Sequence, residues 1–387
     1  MGDGIASAVG RSALQVDFAT PGQHVIVADS DNPTSPSLAE SSNTGPGRYW
    51  RWAEAQLPAV NGLLDGIAQV AEPLATGVNY HLAGRGRQWR ARLALAVARC
   101  WGATEGTTAI AAACELLHNA SLVHDDLQDR DTTRRDREAV WYRFGPEYAI
   151  NLGDYLIVQS FALVAAADIP AARRLAVTQA FSRAASTAIT GQALDLEGEL
   201  IDDPRGAWHH YCTTARYKSG SLFALPAESV LRSAGAPDTL CQRVSDLLVD
   251  FGLLYQLLDD TADVLDQKPG RAAGSDLRQR RLTAPVVCHL TDPRVPVAQA
   301  NALRAFLQTD PAADDDPHLP DHWRRILADG PGVATCRASA KTLKGELFAA
   351  IRQLPTPLRD CLNTGLEAAL GASGLWVGVT SVGEPTP

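Results

Sequence analysis

The feature that most limits the fold is a pair of long apolar helical patterns, each ending in a cluster of aspartates. In the first, apolar and small side chains recur three and four residues apart from Ile110 to His124, and the chain then reaches Asp125, Asp126 and Asp129. In the second, Val244 to Leu258 shows the same spacing and leads into Asp259, Asp260 and Asp263. Carboxylates four residues apart share one face of a helix. The pattern predicts two helices whose ends each present paired carboxylates.

The rest of the chain favours an all-α fold. From about Tyr49 it consists of long Ala- and Leu-rich stretches with short breaks, such as His81 to Gly86 and Ile201 to Gly206, and strand patterns are nearly absent. We predict one all-α domain over residues 48–370. Residues 1–47 predict a disordered arm and residues 371–387 a loose tail. We expect Thr291 to Pro320 to be an irregular surface excursion.

Composition and charge exclude several classes of protein. A net charge of -9 argues against a broad nucleic-acid surface. No apolar run approaches the roughly 20 residues that cross a bilayer, and no basic segment precedes an apolar one at the start, so we expect neither a membrane span nor a signal peptide. The 7 cysteines are widely spaced and form no CxxC pair, which indicates reduced thiols. Together these features predict a cytoplasmic protein without nucleic-acid partners.

Both aspartate clusters lie late in their helices, where a cation is needed to balance them. The helix macrodipole is negative at this end and disfavours each carboxylate by up to about 1 kcal/mol. Oxygen ligands of this kind suit Mg²⁺, which usually bridges protein carboxylates to substrate phosphates. One such cluster alone is equally well a solvated acidic helix end. Two matching clusters favour a magnesium site that handles phosphate groups.

Basic residues near these patterns are candidate phosphate ligands. Arg87 and Arg90 precede the apolar helix that begins near Leu93, while Arg134 and Arg135 follow the first aspartate cluster. Further candidates are Lys218, Arg271 and Arg281. The planar guanidinium fork matches phosphate oxygens well. Taken singly, such arginines are more often surface charges, so the inference rests on the whole set.

Taken in order, these residues resemble the trans-isoprenyl diphosphate synthases, the family that includes farnesyl, geranylgeranyl and longer polyprenyl diphosphate synthases. The resemblance covers about residues 50–370. Its markers are Gly86-Arg87-Gln88-Trp89-Arg90, His118 to Asp129, Arg134-Arg135, Gly191-Gln192 with Asp195, Tyr217 to Gly220, Tyr255-Gln256 with Asp259, Asp260 and Asp263, and Gly274 to Leu277. It implies the isoprenoid synthase fold, a single large helical bundle with a central cavity. Arginine stands where the family usually has lysine at Arg87, Arg271 and Arg281.

The resemblance also implies roles for the matching residues. The residues that would hold three Mg²⁺ ions around an allylic diphosphate are Asp125, Asp126, Asp129, Asp259, Asp260 and Asp263. The groups that would contact the same diphosphate are Arg134, Lys218 and Arg271, with Ser219 and Gln256 close to the reacting pocket. Lys218 would join the aspartates as a catalytic residue. The diphosphate of isopentenyl diphosphate would be bound by Arg87, Arg90, His118 and Arg135.

The implied reaction joins isopentenyl diphosphate to an allylic diphosphate by ionisation, condensation and elimination, and the implied assembly is a homodimer. Two alternatives stay open. A class I terpene cyclase shares the fold and one aspartate motif, but it binds a single diphosphate and does not need the pocket implied by Arg87, Arg90 and His118. A non-catalytic subunit of a heteromeric synthase is expected to have lost aspartates.

Product length is predicted from the turns that precede Asp125. If the growing prenyl product runs along this helix, the first side chains that can limit its length are Ala120 and Ser121, and the next is Leu117. Ala120 and Ser121 are small, whereas an aromatic ring at this level is typical of relatives that make a fifteen-carbon product. We predict geranylgeranyl diphosphate, with longer polyprenyl products second and farnesyl diphosphate third.

Overall fold

The computed structural model describes residues 47–103, 106–267, 273–310 and 318–372, and this part of the chain is almost entirely helical. Its first eight helices are α1 (Arg48–Ile67), α2 (Leu74–Ala83), α3 (Trp89–Trp101), α4 (Thr107–Gln128), α5 (Val140–Phe144), α6 (Pro146–Ala165), α7 (Ala171–Glu197) and α8 (Pro204–Ala215). The others are α9 (Ser221–Ser233), α10 (Asp238–Val264), α11 (Ser275–Arg278), α12 (Ala284–Leu290), α13 (Val297–Leu307), α14 (Leu319–Asp329), α15 (Pro331–Ile351) and α16 (Thr356–Ala372). Strands in the described residues are limited to an antiparallel hairpin of β1 (Thr133–Arg134) and β2 (Arg137–Glu138). The all-α prediction is confirmed.

Helices α3, α4, α9 and α10 form the centre of the bundle because they are apolar on nearly every side. Every residue from Leu93 to Ala98 of α3 and from Ile110 to Leu117 of α4 is buried. In α9, Arg232 is the one residue that is not buried. A helix that is apolar all round gains most when other helices surround it. Helix α6 packs on α4, while α7 and α10 pack on α9.

The central helices bring both aspartate clusters to helix ends, as the sequence predicts. Helix α4 ends at Gln128 with Asp129 as its C-cap, and α10 ends at Val264, directly after Asp263. The β1–β2 hairpin begins a few residues beyond α4, so Arg134 stays close to the first cluster. The fold therefore places carboxylates and basic groups in one region.

A π-helical turn, Arg216–Gly220, joins α8 to α9 and carries Lys218. Two glycines allow neighbouring helices to approach this turn closely. A Cβ atom added to Gly191 of α7 would lie 2.2 Å from the Lys218 backbone nitrogen, and one added to Gly252 of α10 would lie 2.4 Å from the Gly220 Cα. Single π turns inside helices are frequent at functional sites. Here close packing on both sides fixes the position of Lys218.

The prediction of an irregular excursion from Thr291 to Pro320 is wrong for much of that stretch. Helix α13 lies within it and buries Leu303, Phe306 and Leu307, and Phe306 packs against Trp323 of α14 with ring centroids 6.0 Å apart. These three apolar residues have helical spacing, which the surrounding prolines obscure in the sequence. Residues 311–317 of the stretch lie outside the described residues.

Two predicted breaks between helices are shorter than expected. Helix α2 continues to Ala83, and α8 already begins at Pro204 because Asp203 caps it, accepting the Gly206 N–H at 2.7 Å. The predicted N-terminal arm falls outside the described residues except for Gly47. The predicted tail does so as well, except that α16 extends to Ala372.

Among the described helices, α6 is the one whose length and composition would allow it to cross a membrane, with 33% of its most apolar window buried. One such helix is weak support for a span, because core helices of soluble proteins share these properties. Its outer face mixes apolar residues with charge: Ile150 and Val158 are exposed on either side of Asp154.

Candidate active site

The first aspartate cluster divides into one buried carboxylate and two that are more open. Asp126 is buried, and its Oδ1 accepts hydrogen bonds from Arg134 Nε at 2.8 Å and from a second nitrogen of the same guanidinium. Asp125 and Asp129 are partly buried. Burial raises the pKa of Asp125 to about 6, with Lys218 opposing the rise and Asp129 adding to it. Burial is thus the main reason that Asp125 holds its proton more tightly, while nearby Lys218 favours its ionised form.

Two cations balance this cluster from other parts of the chain. Lys218 Nζ donates to Asp195 Oδ2 of α7 at 2.6 Å, and Arg281 forms an ion pair with Asp129. Burial disfavours both charges, but Asp195 raises the pKa of Lys218, and Asp129 together with Asp276 raises the pKa of Arg281. Both groups are therefore cationic at neutral pH.

The second cluster is also unequal in its surroundings. Asp260 is buried, and its Oδ1 accepts from Gln256 Nε2 at 2.7 Å, while its Oδ2 accepts from Tyr211 OH at 2.8 Å and the Ala284 N–H at 3.0 Å. Burial and the adjacent Asp260 raise the pKa of Tyr211, so its phenol remains a donor.

Asp263 holds the start of α11, whereas Asp259 is more open. The buried Asp263 carboxylate accepts from Ser275 Oγ at 2.8 Å and from the backbone N–H groups of Ser275 and Asp276 at 3.3 Å. Asp259 is partly buried. Thus each cluster combines buried carboxylates held by protein groups with less buried ones beside them, of which Asp129 is ion-paired with Arg281.

The two clusters meet through the segment between α11 and α12. Arg281 contacts Asp129 of the first cluster and lies 4.0 Å from Asp276 Oδ1, while the Asp276 N–H donates to Asp263 of the second. Gln279 Nε2 also donates to Asp131 Oδ1, just beyond α4, at 2.6 Å. The two acidic helix ends are therefore connected through Arg281, Asp276 and Gln279.

An open cavity lies beside the second cluster. Its polar lining includes Asp195, Lys218, Gln256, Asp260 and Arg281, and its aliphatic side is formed by Leu194, Leu200, Ile201, Ala207, Val287 and Leu290. Clefts that combine apolar side chains with convergent polar groups are typical small-molecule sites. The combination suits an amphiphilic ligand with an anionic head.

A second group of basic residues lies where α2, α3, α4 and the hairpin meet. Arg90 Nε donates to Leu222 O at 3.3 Å, and its guanidinium lies 5.0 Å from the Phe223 ring centroid. Arg135 donates to Gly84 O. Burial lowers the pKa of Arg135, and Arg134 lowers it further. The charges of Arg90, Arg134 and Arg135 thus repel one another, and a bound anion would relieve this repulsion.

Two histidines beside these cations are neutral. Burial, followed by Arg90 and Arg135, holds the pKa of His118 well below its ordinary value, and His118 Nδ1 has no hydrogen-bond partner among the described residues. Burial and Arg135 lower the pKa of His81 to about 4. A neutral imidazole can donate one hydrogen bond to an anion without adding to the repulsion.

The remaining predicted residues occupy different surroundings. Ser219 Oγ donates to Gln256 Oε1 at 2.9 Å, whereas Arg87 is exposed in the loop before α3. Arg271 lies outside the described residues. Of the chain-length residues, Leu117 and Ala120 are buried, and Ser121 is partly buried with its hydroxyl donating to His118 O at 2.8 Å.

Sequence reasoning passed over several residues that shape the site. Glu115 of α4 is buried near Arg90 and accepts the Ala91 N–H at 3.0 Å, and a carboxylate inside an apolar helical run was a usable signal for it. Tyr211 and His81 have no such signal, because an aromatic ring or a histidine in a helix usually serves packing. Asp276 lies within the Gly274 to Leu277 marker, but the resemblance implies no role for it.

The donor set fits magnesium bound together with phosphate oxygens. Within the described ranges, no three acidic, histidine or cysteine side chains converge closely enough to hold an ion by themselves. Mg²⁺ keeps several waters and commonly uses one or two carboxylates plus substrate phosphates, so a complete protein cage is not required. The more open carboxylates suited to this are Asp125, Asp129 and Asp259.

Comparison with known proteins agrees with this geometry. The chain matches the polyprenyl synthetase family over residues 71–318. A geranylgeranyl diphosphate synthase from Mycobacterium tuberculosis is 29% identical over 318 residues, which cover 76% of this chain and 85% of the relative. A geranylfarnesyl diphosphate synthase from Methanosarcina mazei is 30% identical over 224 residues, which cover 57% of this chain and 71% of the relative.

Solved structures share the fold. A crystal structure of a geranylgeranyl pyrophosphate synthase superposes with a TM-score of 0.73 at 21% identity, covering 82% of this chain and 98% of the other. A polyprenyl synthase from Caulobacter crescentus, crystallised with calcium and isoprenyl diphosphate, gives 0.72 at 23% identity, covering 86% and 99%. The isoprenoid synthase fold is confirmed. The chain therefore belongs to the polyprenyl synthetase family and is a prenyl diphosphate synthase, a transferase of prenyl groups.

Proposed function

We propose that this enzyme condenses isopentenyl diphosphate with an allylic diphosphate and releases geranylgeranyl diphosphate. The observation that carries the proposal is the junction of two aspartate clusters through Arg281, with a second cationic pocket around Arg90 and Arg135. The aspartate clusters bind one diphosphate through metal ions that neutralise its charge, and the pocket around Arg90 and Arg135 binds the other diphosphate directly. A terpene cyclase needs only the first of these.

Three Mg²⁺ ions are proposed to be held mainly by Asp125, Asp129 and Asp259, because these carboxylates are more open than the other three. Bound there, the ions would neutralise charge on the departing allylic diphosphate. Asp126, Asp260 and Asp263 would hold Arg134, Gln256 and the start of α11 in place. The cationic groups Arg134, Lys218 and Arg281, with Arg271, would stabilise the same leaving group.

The second diphosphate would lie against Arg90, His118 and Arg135, with Arg87 closing from the exposed loop. This pocket would hold the double bond of isopentenyl diphosphate against the allylic carbon as it ionises. The aliphatic cavity wall would exclude water from the carbocation. Proton loss then completes the condensation, and the released diphosphate is the proposed base.

The proposed twenty-carbon product rests on the small side chains before Asp125. Ala120 is fully buried and Ser121 is partly buried, and neither position carries a bulky side chain that would block a prenyl chain running along α4. The relatives do not agree on product: their names include geranylgeranyl, geranylfarnesyl and farnesyl diphosphate synthases. A longer polyprenyl product is therefore the first alternative, and farnesyl diphosphate is the second.

Product analysis tests the proposal. The purified enzyme is mixed with Mg²⁺, isopentenyl diphosphate and each allylic starter of five, ten or fifteen carbons, and the product is measured by mass spectrometry. A twenty-carbon diphosphate is expected. Consumption of geranylgeranyl diphosphate alone, with release of a hydrocarbon or alcohol, would instead identify a cyclase. Failure to consume isopentenyl diphosphate in every mixture would indicate a non-catalytic subunit.

The enzyme is proposed to act as a homodimer in the cytoplasm. Apolar residues stand exposed on the outer faces of α6 and α7, among them Val158 at 62% and Ile189 at 63%. The same α6 face carries Asp154, which favours a protein partner over a lipid interior. All 7 cysteines are free thiols, which supports a reducing compartment.

A further inference from the structure

Four side chains and one backbone N–H form a hydrogen-bond network at the cavity wall. Ser219 Oγ donates to Gln256 Oε1 at 2.9 Å, and Gln256 Nε2 donates to Asp260 Oδ1 at 2.7 Å. The other carboxylate oxygen of Asp260 accepts from Tyr211 OH at 2.8 Å and from the Ala284 N–H at 3.0 Å. The network links α8, the π-helical turn, α10 and α12.

These hydrogen bonds fix the orientation of the Gln256 side-chain amide. An ionised carboxylate only accepts hydrogen bonds, so Asp260 requires the NH₂ end of Gln256. The carbonyl end is left for Ser219, whose hydroxyl can donate to it. A rotated amide would place its oxygen against the Asp260 carboxylate and lose that bond, although the Ser219 hydroxyl could still accept from the amide NH₂. Gln256 and Asp260 line the open cavity, so the fixed amide is at the wall that faces substrate.

Tyr211, which also lines the cavity, is well placed to anchor Asp260 from α8. Its side chain is 7% exposed, and its ring stacks on Trp208 with centroids 5.5 Å apart and planes at 21°. Packing against Trp208 thus fixes the position of the phenol that donates to Asp260. A supporting residue that is itself held by packing restricts a functional group more than a flexible one does.

We infer that Tyr211 is a positioning residue that acts through Asp260 to hold the Gln256 amide in its reactive orientation. In this arrangement Asp260 serves as an anchor within the protein, and the adjacent, less buried Asp259 is the proposed metal ligand. The inference rests on the proposed function, since the orientation of Gln256 matters only if an allylic substrate reacts in this cavity.

Tyr211→Phe tests the inference because it removes one hydroxyl and keeps the ring. We expect kcat to fall about tenfold, the effect of losing roughly one buried hydrogen bond. The KM for isopentenyl diphosphate and the Mg²⁺ concentration for half-maximal rate should stay within twofold, because neither site is touched. Tyr155→Phe is the matched control. Tyr155 donates to Ile67 O at 3.0 Å, outside the hydrogen-bond network around Asp260, so this variant should leave kcat unchanged.

A double-mutant cycle separates positioning from mere packing. In a Gln256→Ala background, Tyr211→Phe should change kcat less than twofold, because the group it positions is gone. In a Ser219→Ala background, which serves if Gln256→Ala turns over too slowly, the combined loss should be smaller than the product of the two single losses. An equal tenfold loss in every background would overturn the inference, as would wild-type kcat in Tyr211→Phe.

Separate control measurements test the folding of each variant and the proposed function. Circular dichroism and thermal unfolding verify each variant. If Tyr211→Phe does not fold, Asp260→Asn replaces it in the same cycle, because asparagine has one acceptor oxygen and cannot accept both from Gln256 at one end and from Tyr211 and the Ala284 N–H at the other. Absence of prenyl transfer by the wild-type enzyme would defeat the proposed function. An active wild type with an unaffected Tyr211→Phe would defeat the positioning role alone.

Discussion

Asp125 and Asp126 are adjacent in sequence, yet their carboxylates have different tasks in the structure. Asp126 is buried against Arg134, while Asp125 points to the more open face that it shares with Asp129. Successive helical residues are about 100° apart, so one of a pair can face the protein while the other faces a ligand. The pKa of Asp125 is raised to about 6 because burial disfavours its charge more than Lys218 and the nearby arginines compensate.

Asp125→Asn is predicted to stabilise the metal-free protein at pH 7. The folded pKa of about 6 lies above the ordinary value of 3.8, so the folded state holds this proton more tightly. The resulting stabilisation is complete below about pH 4 and is lost as pH rises through about 6. Relative to the Asn variant, the free energy of unfolding of the wild type should fall by roughly 2 kcal/mol between pH 4 and pH 7.5.

Denaturant unfolding in the presence of a chelator measures this difference at each pH. The same variant should lose about a hundredfold or more in kcat, because an amide is a poor ligand for Mg²⁺. A gain in stability together with a loss of activity is expected of a residue placed for function. Parallel pH profiles for wild type and Asp125→Asn would contradict the assignment.

Residues were predictable where chemistry leaves a pattern in the sequence. The aspartates of both clusters, Arg134 and Lys218 were found because charged groups at fixed spacing beside apolar helices are unusual. Tyr211 was not found, since its partner Asp260 is 49 positions away and only the packing of α8 on α10 brings them together. The structure also separates buried from open carboxylates, which spacing alone cannot do.

At the scale of elements, the position of Lys218 depends on close helix packing around the π-helical turn. Gly191 of α7 is predicted to be intolerant of a side chain, because an added Cβ would lie 2.2 Å from the Lys218 backbone nitrogen. We expect Gly191→Ala to lower the free energy of unfolding by about 1–3 kcal/mol and to reduce kcat as Lys218 shifts.

Gly345→Ala is the matched control for this prediction. Gly345 is exposed within α15, and an added Cβ meets nothing within 4 Å. Replacing an exposed helical glycine should raise the free energy of unfolding by up to about 1 kcal/mol and leave kcat unchanged. Chemical denaturation and steady-state kinetics measure both effects. Equal behaviour of the two variants would show that the turn is not held by close packing.

Helices were predictable from apolar periodicity, whereas their exact ends and one whole helix were not. Prolines and acidic residues surround the three buried apolar residues of α13 and hide its helical pattern, and the face is buried by packing against residues distant in sequence, such as Val264, Val286 and Trp323. Tertiary contacts of this kind have no local signal. The π-helical turn likewise follows from the packing of α7 and α10 on it.

At the scale of the whole molecule, the exposed apolar faces of α6 and α7 predict self-association. Val158→Glu or Ile189→Glu would place a charge in the proposed interface and should convert a two-chain assembly into single chains. Val297→Glu is the control, since Val297 is 76% exposed on α13. Light scattering after gel filtration gives the masses. A single-chain wild type, or glutamate variants that remain paired, would refute this interface.

The central claim is that the two acidic helix ends bind divalent ions together with one diphosphate. Calorimetric titration of Mg²⁺ into the enzyme, with and without inorganic diphosphate, measures this directly in the wild type, Asp125→Asn and Asp259→Asn. The claim predicts strong Mg²⁺ binding only when diphosphate is present, and its loss in either variant. Undiminished binding of Mg²⁺ and diphosphate in both variants would contradict it.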